Sequence, residues 1–528
     1  ITFGPGAGAT LHAGDYWVFA ARTADGTIDT LTAAPPRGML HHFAKLALVT
    51  SGAPPTVLTD CRTFWPPAMT AHEGCCSQVV RPGEDIQKAI DKLNGIGGCV
   101  CLKMGVHHIA RPLHIAQANV TIHGEVPRVT VRLDEGGPLM LDIAAPENVS
   151  VEGILFETAQ ALKPEAVIHV HRVVGGRIAE CGIRLAREKP DPKGKAIGIE
   201  LDNCREYAIE CVEIHDLPLG VLGANSEQIR VTDCRLDGPS AQLAKGDMVS
   251  LGLMGIEFRD GSLTGIDIER NVLTDYLRGI QLGDVSAAAI MPAGGVGKPA
   301  DVQTAQPGCR IASNLIARHA APLGHGAAGG LATVFFAIAT HAPRCEIVEN
   351  ATNIVDLSES GVLAAGGDTL VARNEVLSAA TFNPNFVLTR LPFDVVAIVT
   401  QSDAVACTIR DNRFDGLQQA VFATGAASGL GHRVDILQNR VTGIESLVKA
   451  VLAGKVAAGG GNPVVKLLLI LERFSAISLV ALSHSRVEGN EIAVAPCGVF
   501  ALDTLGTSAV ANRVTASLAG VVLAIATE

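Results

Sequence analysis

Asp275, Tyr276 and Arg278 lie within four residues of one another and could together support acid–base chemistry. A carboxylate can accept a proton, a phenol can donate one, and a guanidinium can neutralise an anionic substrate. Asp237 and Asp415 occur in similar short segments, CRLDG and RFDG, and add two acidic candidates at equivalent outward turns. Because aspartate is also common in solvent-exposed turns, we interpret these residues first as turn residues and only second as catalytic ones.

Closely spaced cysteines are the natural candidates for metal binding. The chain has 13 cysteines, and the close pairs are Cys75 with Cys76 and Cys99 with Cys101. Neither pair has the Cys-x-x-Cys spacing that is typical of zinc sites. The sequence therefore predicts no metal, no cofactor and mostly buried thiols. A disulfide that involves Cys61, or one between Cys75 and Cys76, is left open.

A repeated pattern around asparagine runs through most of the chain. Each copy has an apolar residue three positions before the asparagine and another two positions after it, as in Ile409, Asn412 and Phe414. Cysteine takes the asparagine position in two further copies, at Cys181 and Cys234. The asparagine copies are centred on Asn271, Asn314, Asn350, Asn374, Asn412, Asn439, Asn490 and Asn512. Self-similarity at a period of a few tens of residues is typical of solenoid proteins.

The repeat units alternate apolar and polar residues and lack helical periodicity, which predicts short strands. Short strands joined by tight turns, with each coil resting on the one before, form a right-handed parallel β-helix. We predict an all-β solenoid of about a dozen coils. Each repeated asparagine would bond to the asparagine of the next coil, so we interpret these residues as a structural ladder rather than as ligands.

The N-terminal part of the chain differs from the repeat. Residues 75–528 form the predicted β-helix, which begins with a short amphipathic helix that can cover the open end of the first coil. The apolar face of this helix comprises Ile86, Ala89, Ile90 and Leu93. Residues 1–74 are predicted to be a small β-rich segment, the C-terminal part of an upstream docking domain. Since the chain starts at Ile1 without a signal-peptide pattern, we expect it to be part of a longer protein.

Charge and hydrophobicity limit the partners of the protein. The net charge of −11 argues against nucleic acid, which binds clustered lysine and arginine. Hydrophobic residues make up 48% of the chain, as expected when the inward residues of stacked coils are apolar. No uninterrupted apolar run reaches the ~18 residues of a membrane-spanning helix. The sequence therefore predicts no nucleic-acid partner and no transmembrane segment.

The segment that begins at Arg81 resembles the start of pectate-lyase-like right-handed β-helix proteins. The matching pieces are RPGEDIQKAI, GGCV, GVH and NVTIHG, with Met104 where that family usually has proline. This resemblance, over roughly residues 79–528, implies the fold but not an activity. Residues 14–67 resemble the C-terminal end of DUF6519, a bacterial domain of unknown function. That resemblance implies an association with phage-tail-like contractile injection systems.

The enzymes that share this fold require residue sets that the chain does not show. A polysaccharide lyase would need an acidic cluster for Ca²⁺ and a basic residue that accepts a proton. A polygalacturonase-like hydrolase would need paired carboxylates, which that family carries in NTD and DD motifs with GHG and RIK. Only GHG is present, at residues 324–326. Sugar-binding clefts also stack rings on aromatic side chains, and the β-helix segment has no tryptophan and only Tyr207 and Tyr276.

We therefore predict a non-catalytic structural or surface-binding component of an extracellular or phage-tail-like assembly. Its partners would be other proteins of that assembly, with a surface polysaccharide as a further candidate. The alternative is a carbohydrate-active enzyme, a polysaccharide lyase or glycoside hydrolase, with Asp275, Tyr276 and Arg278 as candidate catalytic residues. Ca²⁺ would be its cofactor only if it is a lyase. A third alternative is self-assembly through the ends of the solenoid.

Overall fold

The computed structural model describes separate parts of the chain. Near the N-terminus it describes residues 16–22, 26–28, 31, 47–49 and 57–60. From residue 76 to residue 524 it describes all but residues 126–128, 187–188, 190, 192, 243–247, 262, 284–307, 320, 323–334, 355–358, 365–366, 379–395, 403–405, 418, 426–432, 444–466, 469–470 and 472–473. Cys61, Cys75 and the GHG segment at 324–326 lie outside the described residues.

The chain divides into two units, Ile1–Cys75 and Cys76–Glu528. No helix among the described residues is long and apolar enough to span a membrane. The first unit contains two antiparallel strand pairs, Ala21–Arg22 with Thr27–Ile28 and Ala47–Val49 with Val57–Asp60.

The second unit is built from coils that contribute strands to three faces. Face A is a parallel sheet of 15 strands. Its strands are Gln78–Val80, Gly98–Leu102, Val120–Gly124, Glu147–Glu152, Val174–Ala179, Arg205–Glu210, Arg230–Thr232, Asp267–Glu269, Arg310–Ala312, Glu346–Val348, Thr369–Ala372, Cys407–Arg410, Val434–Leu437, Arg486–Glu488 and Ser508–Val510.

From the second strand of face A onward, a face B strand follows the face A strand in each coil. Its strands are Gly105–Ile109, Val129–Leu133, Ile154–Thr158, Gly182–Leu185, Glu213–His215, Arg235–Asp237, Val272–Thr274, Leu315–Ala317, Ala351–Ile354, Glu375–Ser378, Arg413–Leu417 and Arg440–Gly443. A separate three-stranded sheet lies outside the coils and consists of Ser240–Gln242, Met248–Ser250 and Ala321–Pro322.

Face C completes each coil. Its strands are Leu113–Ile115, Leu141–Ile143, Glu165–His171, Ala196–Asp202, Leu219–Ala224, Gly252–Arg259, Tyr276–Leu282, Phe335–Thr340, Glu359–Ala364, Val396–Ser402, Gln419–Gly425 and Ser475–Val480. Faces B and C form one 26-stranded sheet, because the strands Glu491–Leu502 and Arg513–Ala524 continue from one face into the other.

The parallel pairing confirms the predicted β-helix solenoid. Inward residues of one coil stack on those of the next, as Val151 does on Ile178, and both are fully buried. Face A has 15 strands among the described residues, and twelve coils contribute separate strands to all three faces, in agreement with the predicted dozen. Some early coils have glycine rather than asparagine just before face B, as at Gly153, which has φ of 67°.

The asparagine ladder has the predicted geometry. Asn374 Nδ2 donates to Asn412 Oδ1 at 3.0 Å and to the Ile347 carbonyl at 2.8 Å, while Asn374 Oδ1 accepts from Asn350 Nδ2 at 3.0 Å. Cys234 continues the stack, because its backbone N–H donates to Asn271 Oδ1 at 2.9 Å. Hydrogen bonds of this kind link Asn271, Asn314, Asn350, Asn374, Asn412, Asn439, Asn490 and Asn512.

The predicted capping helix is present as Ile86–Asp91. Asp85 precedes it and accepts a hydrogen bond from the Lys88 backbone N–H at 3.1 Å, which satisfies one of the free donors at the helix start. The apolar side chains predicted to share a face, Ile86, Ala89, Ile90 and Leu93, are all buried. The helix therefore covers apolar residues at the beginning of the coil stack.

We predict that Asn374→Ala lowers the free energy of unfolding by roughly 2–4 kcal/mol, because it leaves buried backbone and amide groups without hydrogen-bond partners. Urea unfolding followed by circular dichroism would measure the change. Asn512→Ala is the matched control, since Asn512 ends the described ladder and is partly exposed, so water can replace its bonds. An equal loss in the two variants would contradict the ladder as a cooperative buried element.

Candidate active site

The three residues of the sequence-based candidate site have separate partners. Tyr276 is only 2% exposed and packs in the hydrophobic core, where its hydroxyl donates to a backbone carbonyl at 3.2 Å. Asp275 lies in a turn with φ of 57° and accepts a hydrogen bond from the His319 backbone N–H at 2.8 Å. Arg278 donates to Gln281 Oε1 at 3.0 Å. These contacts do not bring the three side chains together into one site. The catalytic role of Asp275, Tyr276 and Arg278 stays a prediction.

The acidic candidates do not all occupy equivalent positions. Asp237 ends a face B strand and pairs in register with Thr274 of the next coil, so Asp275 lies one residue further along and faces the turn. Asp415 lies on a face B strand, 3.6 Å from Arg413. The prediction of equivalent outward turns is therefore wrong, because Asp237 and Asp415 lie on strands and only Asp275, one residue further along, lies in a turn.

A cluster that the sequence did not predict lies on face C. His114, Asp142 and His169 are paired in register on three successive strands. The apolar residues on either side of each one are buried, so the polar residue between them points outward. His171, two residues after His169, points to the same side of the sheet.

Asp142 is the centre of this cluster. His114 Nδ1 lies 3.0 Å from Asp142 Oδ2, while His169 Nδ1 and His171 Nε2 lie 3.3 Å and 3.4 Å from Asp142 Oδ1. The rings of His169 and His171 stack with centroids 4.9 Å apart and an interplanar angle of 16°. We call these four residues the Asp142 cluster.

The Asp142 cluster is open to solvent but held by regular strands. The side chain of Asp142 is 26% exposed and that of His114 is 52% exposed. The nitrogens of an imidazole ring can accept or donate a proton. A rigid sheet that presents such groups together can position an acid–base reaction on a bound polymer.

The Asp142 cluster could also hold a cation. One ligand atom from each of Asp142, His169 and His171 lies within 4.8 Å of the other two. Ca²⁺ takes oxygen ligands, whereas two imidazoles and one carboxylate suit a transition metal. The donor set therefore does not match the Ca²⁺ cofactor that we expected for a lyase.

The next coil extends the polar character of this part of face C. Glu200 pairs in register with His169, and Asp202 pairs with His171. Successive coils thus present His114, Asp142, His169 and Glu200 in one line, spaced by the ~4.8 Å strand separation. An extended chain that lies along this line would meet an ionisable group at every coil.

A second charged cluster lies on face B and is centred on Glu157, which forms ion pairs with two arginines. The Glu157 side chain is only 6% exposed and accepts hydrogen bonds from Arg132 Nε at 2.8 Å and Arg184 Nε at 3.0 Å. Burial alone would raise the pKa of Glu157, but the hydrogen bonds from the two arginines outweigh it and hold the pKa below its usual range. Because both carboxylate oxygens are engaged, Glu157 is a buried ion-pair centre rather than a proton acceptor.

The tyrosines of the β-helix do not form a platform for sugars. Tyr207 and Tyr276 are 1% and 2% exposed, and the Tyr207 hydroxyl donates to the Val149 carbonyl at 3.0 Å. The β-helix sequence contains no tryptophan. A sugar polymer on face C would therefore be held mainly by charged and polar side chains.

The sequence carries a weak signal for the Asp142 cluster. The segments LHI, LDI and IHVH each place a polar residue between two apolar ones, which is the pattern of an outward residue on a half-buried strand. Their spacings of 28 and 27 residues correspond to one coil each. Only the strand register shows that the three segments are neighbours.

Comparisons with known proteins found similarity to solved structures alone. No family model matches the chain, and no curated protein matches its sequence. The catalytic unit of the GH87 α-1,3-glucanase from Streptomyces thermodiastaticus is 14% identical with a TM-score of 0.45, and the alignment covers 82% of this chain and 66% of that one.

Two other solved structures have a similar level of likeness. The DFA-IIIase from Arthrobacter chlorophenolicus A6 without its lid is 10% identical with a TM-score of 0.43, over 72% of this chain and 96% of that one. The N-terminal fragment of gene product 12 of bacteriophage Phi29 is 12% identical with a TM-score of 0.43, over 83% of this chain and 70% of that one. Similarity at this level carries no information about activity.

We predict that Glu157→Gln lowers the free energy of unfolding at pH 7 by roughly 3 kcal/mol, because it leaves two arginines around a neutral group. The folded-state pKa of Glu157 lies below its ordinary value of 4.5, so its contribution is present above that pH and is lost as the pH falls further. The difference between variant and wild type should therefore shrink below about pH 4. Urea unfolding of both proteins, at pH 7 and below about pH 4, would measure this difference in the free energy of unfolding.

The control for this experiment is Glu349→Gln, which breaks the exposed ion pair with Arg373. Exposed ion pairs contribute about 0–1 kcal/mol, so a small change is expected. If Glu157→Gln costs no more than Glu349→Gln, or if its cost is the same at both pH values, the assignment of Glu157 as a buried ion-pair centre is wrong.

Proposed function

We propose that the protein is a carbohydrate-active enzyme, a lyase of acidic polysaccharides that uses the Asp142 cluster on face C. The observation that supports this most is the convergence of three imidazoles on one partly exposed carboxylate, with distances of 3.0–3.4 Å. Sequence motifs alone favoured a non-catalytic role because no catalytic set was visible in them. The Asp142 cluster supplies such a set and favours the alternative.

The proposed reaction is β-elimination. His114, the most exposed of the imidazoles in contact with Asp142, would accept the proton from the sugar carbon next to the substrate carboxylate. The electron pair of that C–H bond forms a carbon–carbon double bond, and the bond to the glycosidic oxygen breaks. That oxygen takes a proton from an imidazolium or from water, so no water is consumed.

The other members of the cluster would bind and orient the substrate. Asp142 Oδ2 would accept a hydrogen bond from His114 Nδ1, 3.0 Å away, and thereby fix the orientation of that ring, as a carboxylate does in other histidine sites. The stacked pair of His169 and His171 lies beside the same carboxylate oxygen of Asp142. The N–H groups of these rings would donate hydrogen bonds to the substrate carboxylate and to the negative charge that develops in the transition state.

An acidic substrate would have to contact the imidazoles of the Asp142 cluster rather than the acidic Glu200 and Asp202 of the next coil. The tyrosines of the β-helix are buried, so binding would depend on charge and hydrogen bonding rather than on stacking. Because the chain as a whole has a net charge of −11, a local group of imidazoles is needed to attract an anionic polymer. A hydrolase would instead need two carboxylates in defined roles, and Asp142 with Glu200, two rungs away on face C, would then be the pair.

The second candidate function is the non-catalytic component of a phage-tail-like assembly, on the surface of a cell or particle. It is favoured by the outward charges that pair with each other along the solenoid, such as Arg270 with Asp233 at 2.8 Å and Arg310 with Glu269 at 2.6 Å. The resemblance of residues 14–67 to the end of DUF6519 also supports it. In such an assembly the β-helix would act as a rigid spacer or surface-binding part.

We predict that the protein releases unsaturated ends from an acidic polysaccharide, and that His114→Gln and Asp142→Asn lower the rate by about 100-fold or more. A panel of uronate-containing polysaccharides would be followed through the ultraviolet absorbance of the new double bond. His215→Gln is the matched control, since His215 lies 3.0 Å from Asp237 on face B in a similar pair and should leave the rate unchanged.

Further variants separate the alternatives. Asp275→Ala and Arg278→Ala test the sequence-based site and should retain activity if the Asp142 cluster is catalytic. Activity that disappears with a chelator and returns with a divalent transition metal would place a cation among Asp142, His169 and His171. Turnover that survives His114→Gln and Asp142→Asn would place the catalytic site outside the Asp142 cluster. The absence of turnover on the whole panel would favour the non-catalytic function.

A further inference from the structure

Three cysteines and one histidine meet at the N-terminal end of face A. Cys76 lies two residues before the first strand, Cys99 and Cys101 lie on the second strand, and His123 lies on the third. Since Cys99 and Cys101 are two residues apart on one strand, their side chains point to the same side of the sheet. We call these four residues the three-cysteine cluster.

The strand register brings these residues together. Cys101 pairs directly with His123 of the next strand, and Cys99 pairs with Thr121. Cys76 reaches the same place from the segment that leads into the first strand. All four residues therefore belong to three successive rungs of the same face, although 47 residues separate Cys76 from His123.

The side-chain atoms of the cluster are close to one another. Cys76 Sγ lies 2.9 Å from Cys99 Sγ and 3.6 Å from His123 Nε2, and Cys99 Sγ lies 3.4 Å from His123 Nδ1. One ligand atom from each of Cys76, Cys101 and His123 lies within 4.8 Å of the other two. Cys101 is buried and the other three residues are partly buried. The cluster is thus partly shielded from bulk water.

This donor set is that of a structural zinc site. Zn²⁺ binds cysteine sulfur at ~2.3 Å and histidine nitrogen at ~2.0 Å in a tetrahedron, which places neighbouring ligand atoms about 3.5–3.8 Å apart. The distances of 3.6 Å and 3.4 Å from His123 to Cys76 and Cys99 are close to that range, whereas the sulfurs of Cys76 and Cys99, at 2.9 Å, would have to move apart. Cys99 does not belong to the group of atoms that all lie within 4.8 Å of one another, so its side chain would have to rotate towards Cys101 to complete the site. Four protein ligands leave no open position, and such sites are structural rather than catalytic.

Eight of the eleven cysteines that the structure describes are buried, and several of these are single thiols in the coil stack. Cys181 and Cys234, for example, donate to backbone carbonyls within the asparagine ladder. The three-cysteine cluster differs because its sulfurs face one another and an imidazole outside the apolar interior. Packing alone does not account for four metal-ligand side chains at one place.

We propose that Cys76, Cys99, Cys101 and His123 bind one structural Zn²⁺ that holds together the first three strands of face A. Isolated end coils of a solenoid have a neighbour on one side only and tend to open. A metal bound across three rungs would oppose this opening, because ligand binding and local folding are linked. The capping helix Ile86–Asp91 covers apolar residues of the same coils. The helix and the bound metal would therefore both stabilise the first coils of the β-helix.

The direct test is the metal content of the full chain, purified under reducing conditions from cells supplied with zinc. We expect about one Zn²⁺ per chain, and Co²⁺ in its place should give the intense visible and near-ultraviolet absorption of tetrahedral thiolate coordination. Removal of the metal with a chelator should lower the thermal unfolding temperature, and added Zn²⁺ should restore it. These measurements on the wild-type protein do not depend on any variant folding.

Variants locate the metal. Cys101→Ser and His123→Gln should each lower zinc content by at least about 10-fold, and His123→Cys should restore it, since four cysteines also bind zinc tetrahedrally. Cys211→Ser is the matched control, because Cys211 is an exposed cysteine of the same solenoid, and it should keep the full zinc content. None of these readouts uses polysaccharide turnover, so they stand apart from the proposed enzyme activity.

Three results would overturn the proposal. The first is wild-type protein that contains no zinc and gives no thiolate–Co²⁺ spectrum. The second is a disulfide between Cys76 and Cys99 in protein isolated under reducing conditions, detected by peptide mapping. The third is zinc that is lost in Asp142→Asn but kept in His123→Gln, which would place the metal in the Asp142 cluster instead.

Discussion

The register between neighbouring coils determines most of this structure. Parallel strands of successive coils form hydrogen bonds along all three faces, so each residue has fixed neighbours one rung above and one rung below. The asparagine ladder adds side-chain bonds to this register inside the solenoid, where Asn374 bonds to Asn350 on one side and Asn412 on the other. Because these amides are buried, a slipped coil would leave them unpaired at a high cost in free energy.

The same register assembles the two sites on the outside. His114, Asp142 and His169 are about 28 residues apart in sequence, yet they occupy adjacent rungs of face C. The three-cysteine cluster arises in the same way on face A, from Cys101 and His123 in register. A solenoid builds such sites without a long loop, since any polar residue in an outward position meets the outward residues of the coils beside it.

The sequence predicts the fold because each repeated asparagine marks one coil. It also predicts the capping helix, because the apolar residues of that segment share one helical face. It does not predict the sites, because coil length varies. Asn350 and Asn374 are 24 residues apart, whereas Asn271 and Asn314 are 43 apart. With such variation, counting along the chain cannot show that Asp142 faces His169. The same variation explains why the sequence did not predict the position of Asp275. This residue lies one position after Thr274, the strand residue that pairs in register with Asp237.

The central claim is that face C binds an acidic polymer over the Asp142 cluster. A crystal structure of the His114→Gln variant soaked with a uronate oligosaccharide tests it most directly, because slow turnover preserves the ligand. We predict that the oligosaccharide lies along face C, with a sugar carboxylate against His169 and His171. An oligosaccharide bound on another face, or no bound oligosaccharide at saturating concentration, would contradict the claim.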